Sequence, residues 1–63
     1  MKAKIISATD SKIKDIYLEL PELKIGDLFV FNEIEFVISS IIREENILTI
    51  QSSSYIIIFK LLD

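Results

Sequence analysis

With 63 residues, 51% of them hydrophobic, and a formal net charge of −3, the chain has room for one small domain, residues 1–63, and none for a linker. It contains neither Cys nor His, which excludes disulfides, thiolate metal sites, imidazole ligands and any nucleophile activated by an imidazole. A single glycine excludes a glycine-rich phosphate loop, and no stretch approaches the roughly 18 apolar residues of a membrane-spanning helix.

The opening residues, MKAKIISATD, carry two lysines and only Ile5-Ile6 as an apolar run, which is not the pattern of a signal peptide. Together with the absence of Cys this predicts a cytoplasmic protein. Residues 2–8 alternate as a strand does, Ala3 and Ile5 on one side, Lys2, Lys4 and Ile6 on the other. A lysine-bearing face suits a sheet edge, where charge discourages unwanted pairing. Thr9-Asp10-Ser11-Lys12 has turn composition.

Residues 13–20 read two ways. Ile13, Ile16, Tyr17 and Leu20 form a helical stripe, so a short helix or turn near residues 11–20 is one reading. Ile16, Leu18 and Leu20 also alternate with Asp15, Tyr17 and Glu19, and this strand reading is preferred because it leaves only amphipathic Tyr17 on the polar face. Pro21 ends the segment in either case, since it lacks the amide that a ladder or helix would use.

Residues 21–26 form a connection whose Leu23 and Ile25 are expected to plug the core, and Gly26-Asp27 makes the sharp entry to a central hairpin over residues 25–42. Residues 28–31 are apolar throughout, so both of their faces should be covered. After the two-residue turn Asn32-Glu33, residues 34–42 place Ile34, Phe36, Ile38, Ser40 and Ile42 on one face and Glu35, Val37, Ser39 and Ile41 on the other. Arg43-Glu44-Glu45-Asn46 is a turn with Asn where a left-handed residue is needed. A strand over residues 47–51, a serine loop over 52–54 and a last strand in YIIIFKLL, residues 55–62, complete the chain.

This is an all-β pattern: a small antiparallel five- to six-stranded barrel or bent meander. The run from Leu23 through Gly26-Asp27 to Phe31 resembles the entry strand of SH3-like small barrels, which implies that fold and assigns no functional residue.

Charge is uneven. Lys2, Lys4, Lys12 and Lys14 face one acid, Asp10, in the first 14 residues, while the rest of the chain is strongly acidic. Either this is solvated charge on exposed strands, or the basic start meets a negative surface on a second copy or a polyanion. Catalysis would need Ser52, Ser53 or Ser54 beside Lys60, or a carboxylate pair. Glu33 and Glu35 with Asp27 could line a cation, although hard cations ask for six or more oxygens. Solvated faces and loop serines explain these residues more simply, so no catalytic, cofactor or metal residue is assigned and the chain reads as not an enzyme. Nucleic-acid binding would use Tyr17 near Lys12 and Lys14, but an acidic pI near 4.8 opposes it, and Phe29, Phe31, Phe36 and Phe59 read as core.

Association follows from size. Burial of apolar surface contributes on the order of 95 kcal/mol, and ordering the chain costs on the order of 95 kcal/mol. A chain so rich in apolar residues is expected to cover the excess in a homo-oligomer, most simply a dimer. The last strand supplies candidates on either face, Tyr55, Ile57 and Phe59 or Ile56 and Ile58, with the inward face undecided. Asn32, Glu33, Glu35, Glu44 and Glu45 are the candidate partner-binding positions. The expected function is a non-enzymatic protein-binding or self-associating module. Size alone suggests an accessory or inhibitor protein of a phage or mobile element. The alternatives are an oligomer that sequesters a nucleotide or metabolite, and a nucleic-acid-binding small barrel.

Overall fold

β-branched and aromatic runs, interrupted by turn residues, fold into six strands: β1 (Lys2–Ala8), β2 (Tyr17–Glu19), β3 (Leu28–Phe31), β4 (Ile34–Ile42), β5 (Ile47–Gln51) and β6 (Ile56–Leu61). The computed structural model describes residues 1–10, 12–13 and 16–62. Neighbouring strands are antiparallel in the order β2-β1-β6-β5-β4-β3, a single sheet curled into a half-barrel. There is no helix among the described residues; those of the 13–20 segment contribute β2, and residues 11, 14 and 15 of the expected turn or helix lie outside the described residues. The fold is therefore the all-β small barrel or meander that strand patterning predicts.

The concave face holds the core: Ala3 and Ile5 of β1, Phe36 and Ile38 of β4, Leu48 and Ile50 of β5, Ile57 and Phe59 of β6. The segment joining β2 to β3 runs from one edge of the sheet to the other, and Leu20 and Leu23 on it are buried in this core. Ile25 is not a plug; it is 66% exposed, because the chain turns at Lys24–Asp27 to enter β3.

Three irregularities set which residues face inward. In β4 the pairing shifts from Ile38↔Ile50 to Ser40↔Thr49, so the extra residue Ser39 reverses the alternation and brings Ile41 opposite Leu48. Strict alternation would have sent Ile41 outward and Ile42 inward; the bulge does the opposite. In β1 the shift from Ile5↔Phe59 to Ser7↔Ile58 likewise leaves Ile6 exposed and packs Ala8 against the core. At the start of β3, Gly26 and Asp27 together oppose Ile38: the Gly26 amide donates to the Ile38 carbonyl, and the Ile38 amide donates to the Asp27 carbonyl. Gly26 has φ +95°, a left-handed conformation that costs a glycine little.

Turn chemistry agrees with the residues present. Asn32 and Glu33 both have positive φ, 52° and 65°, as a tight two-residue hairpin turn requires, and Asn46 has φ 57° at the end of the β4–β5 turn. Ser52 Oγ accepts from the amides of Ser54 and Tyr55, which closes the loop before β6.

Candidate functional site

β6 lies in the middle of the sheet, paired to β1 on one side and β5 on the other, so its backbone has no free edge. Of the self-association candidates on it, Ile57 and Phe59 are 2% and 0% exposed and belong to the core. The reason is register: Phe59 opposes Ile5 and Leu48, and Ile57 opposes Ile50, all on the concave face. Ile56 is exposed on the convex face, Ile58 is half-buried beside it, and Tyr55 is exposed just before the strand. β1 also lies inside the sheet, between β2 and β6, so its lysines decorate the convex face and not an edge.

The sheet edges are β2 and β3. β2 has only three residues and is followed by Pro21. β3 is paired to β4 along one side, and no strand pairs its other side among the described residues. Neither charge nor proline interrupts Leu28–Phe31. Both faces of β3 were expected to be covered, yet Leu28 and Val30 are 64% and 65% exposed on the convex face, with Val37 opposite Leu28. On the concave face Phe29 and Phe31 pack against the core and are only half-buried. β3 thus presents an open hydrogen-bonding edge flanked by apolar side chains on both faces, the feature that natural sheets usually guard.

The polar candidates fall in two places. Asn32, Glu33 and Glu35 lie at the β3–β4 turn, whereas Glu44 and Glu45 lie in the turn at the far end of β4. Glu33 sits in the turn itself and Glu35 on β4 opposite Val30, so the two do not share a strand face as alternation would have it. Asp27 accepts the Lys24 amide through Oδ2. No three His, Cys, Asp or Glu side chains group as metal ligands among the described residues.

Ser52 and Lys60 lie at opposite ends of the β5–β6 hairpin. Lys60 Nζ donates to the Glu45 carbonyl, and among the described residues none of Ser52, Ser53 and Ser54 pairs with it. Tyr17 does meet a lysine, but it is Lys4, whose Nζ lies 5.7 Å from the ring centroid; Lys14 lies outside the described residues. Sequence spacing missed Lys4 because the contact crosses the β1–β2 ladder, where Lys4 opposes Tyr17.

Of the cavities among the described residues, a shallow one of about 430 Å³ lies over Leu28, Val37 and Gln51, and two others open toward the ends of the half-barrel. One, of about 260 Å³, is lined by Met1, Glu22, Leu23, Ile41, Arg43, Leu48 and Leu61. The other, of about 170 Å³, lies near the β3–β4 turn and includes Asp10, Phe31, Asn32 and Tyr55 in its wall. No helix among the described residues is long and apolar enough to cross a membrane. Compared with known proteins, the chain matches no protein-family model, no curated protein and no solved structure.

Proposed function

We propose that this protein is a non-enzymatic binding module that associates with a second copy of itself by antiparallel pairing of β3 with β3 across a two-fold axis. The observation that carries this reading is the unguarded β3 edge, with half-buried Phe29 and Phe31 on its concave side and exposed Leu28 and Val30 on its convex side. An edge of this kind is satisfied by adding a strand. A second β3 is self-complementary: with Phe29 opposite Phe29 of the other copy, Leu28 opposes Val30 in both directions, apolar side chain against apolar side chain on each face. The added strand covers Phe29 and the flanks of Leu28 and Val30, with Phe31 opposite Asp27 of the other copy, and apolar area that one small core leaves wet is removed from water. The cysteine-free composition supports a reducing compartment such as the cytoplasm.

The test is solution mass by light scattering across a concentration series on the wild-type chain, Val30→Lys and Ile56→Lys. Val30 lies on the β3 edge and Ile56 on the convex face of β6, away from it, and both side chains are exposed, so both variants are expected to fold. A wild-type dimer at tens of micromolar, converted to monomer by Val30→Lys and retained by Ile56→Lys, supports the edge. A monomeric wild type, or a dimer that survives Val30→Lys, refutes it.

A further inference from the structure

The cavity of about 260 Å³ lies at the end of the half-barrel away from β3, where the last residues of β4 and β6 and the first of β5 meet the β2–β3 connection. Its floor is aliphatic. Leu48 and Leu23 are buried members of the core, and Ile41 and Leu61 are half-buried and pack against them. Ile41 reaches it only because the bulge at Ser39 turns that residue inward. Two ionisable side chains of opposite sign, Glu22 and Arg43, share the wall. No ion pair joins them, and neither forms one with any other described residue. Met1 also lines the cavity, and its nitrogen donates to Glu19 Oε1 at 3.0 Å and to the Leu20 carbonyl at 2.7 Å.

An apolar floor with one unpaired guanidinium and one unpaired carboxylate selects against singly charged ligands. An aliphatic anion satisfies Arg43 but meets the Glu22 carboxylate, and an aliphatic cation meets the reverse conflict. A compact molecule that carries both charges next to a hydrocarbon group satisfies all three surfaces. At about 260 Å³ the space falls below the ~300–1,000 Å³ of sites for drug-sized ligands, which sets the ligand at metabolite size. We infer that this cavity binds a free aliphatic α-amino acid, its side chain on Leu23, Ile41, Leu48 and Leu61, its carboxylate at the Arg43 guanidinium and its ammonium at Glu22. The guanidinium suits a carboxylate because its planar donors match the two oxygens. The site lies away from the β3 edge, so it does not depend on the dimer.

Isothermal titration and thermal shift with a matched set test the assignment: L-leucine, 4-methylpentanoate, which lacks the ammonium, and isoamylamine, which lacks the carboxylate. Saturable binding of leucine with a raised melting temperature is expected, with each truncated ligand at least about tenfold weaker, since a hydrogen bond to a charged group contributes about 1.5–3 kcal/mol. Arg43→Gln and Glu22→Gln, both at exposed positions, should each weaken leucine by a similar factor while leaving the circular dichroism spectrum unchanged. The assignment is overturned if none of the three ligands binds saturably, if either truncated ligand binds as tightly as leucine, or if leucine affinity survives both substitutions. The same titration on Val30→Lys should return the same affinity.

Discussion

Phe29 of β3 and Phe59 of β6 meet edge to face, ring centroids 6.4 Å apart and planes at 89°, although two strands, β5 and β4, lie between them in the sheet. The contact crosses the concave side and exists only because the sheet curls. Phe59 is fully buried, so Phe59→Ala removes both core volume and the curl contact, at about 3–5 kcal/mol. A domain of this length has about 3–9 kcal/mol in total. Urea unfolding followed by circular dichroism should find the Phe59→Ala midpoint strongly lowered, down to a chain already unfolded before denaturant is added if the wild type lies at the low end of that range. A midpoint near that of the wild type would contradict the packing.

The β4 bulge makes a sharper comparison possible between adjacent isoleucines. Ile41 faces the core and Ile42 is 44% exposed, the reverse of strict alternation from Ile34. Ile41→Glu should therefore cost about 2–3 kcal/mol, because a charged group replaces aliphatic packing against the core. Ile42→Glu should fall within about 0.5 kcal/mol of the wild type, as exposed substitutions do. Equal losses, or a greater loss at Ile42, would place the bulge elsewhere.

Gly26→Ala isolates a backbone effect. A Cβ built at Gly26 meets nothing within 4 Å, so the substitution adds no clash, but φ +95° is a conformation that side chains resist. The expected loss is about 1 kcal/mol, from the strained φ alone, read as a lower denaturation midpoint with unchanged slope.

The β3–β4 turn predicts a gain. Glu33 adopts φ 65° in a two-residue turn whose second position favours glycine. Glu33→Gly should raise stability by about 0.5–1 kcal/mol, the relieved left-handed strain exceeding the added freedom of the unfolded chain. Thermal melts should show a higher midpoint; a drop would mean that Glu33 makes a stabilising contact outweighing its strain.

Strand positions and turn sites were legible in the residues because they rest on local physics. Pro21 ends a ladder wherever it stands, Asn46 tolerates φ > 0 wherever it stands, and Ile5, Phe36, Ile38 and Leu48 belong to runs that exclude water in any small sheet. Side-chain parity was legible only as far as the first irregularity. Nothing in Ile38-Ser39-Ser40 marks which residue is skipped, because a bulge is chosen by how β4 must bend to keep its ladder with β5.

Strand order was decided further from the sequence still. Residues 55–62 have the same composition whether they form an edge or a centre. The tertiary structure places β6 between β1 and β5, which buries Ile57 and Phe59, and it leaves the open edge to β3 instead. The cavity beside Glu22 and Arg43 has the same origin, since residues 21 positions apart in the chain come together only when the β2–β3 connection crosses the end of the half-barrel. Local propensity governs where a chain turns and extends; pairing partners, and therefore which surfaces are covered, follow from the free energy of the whole sheet.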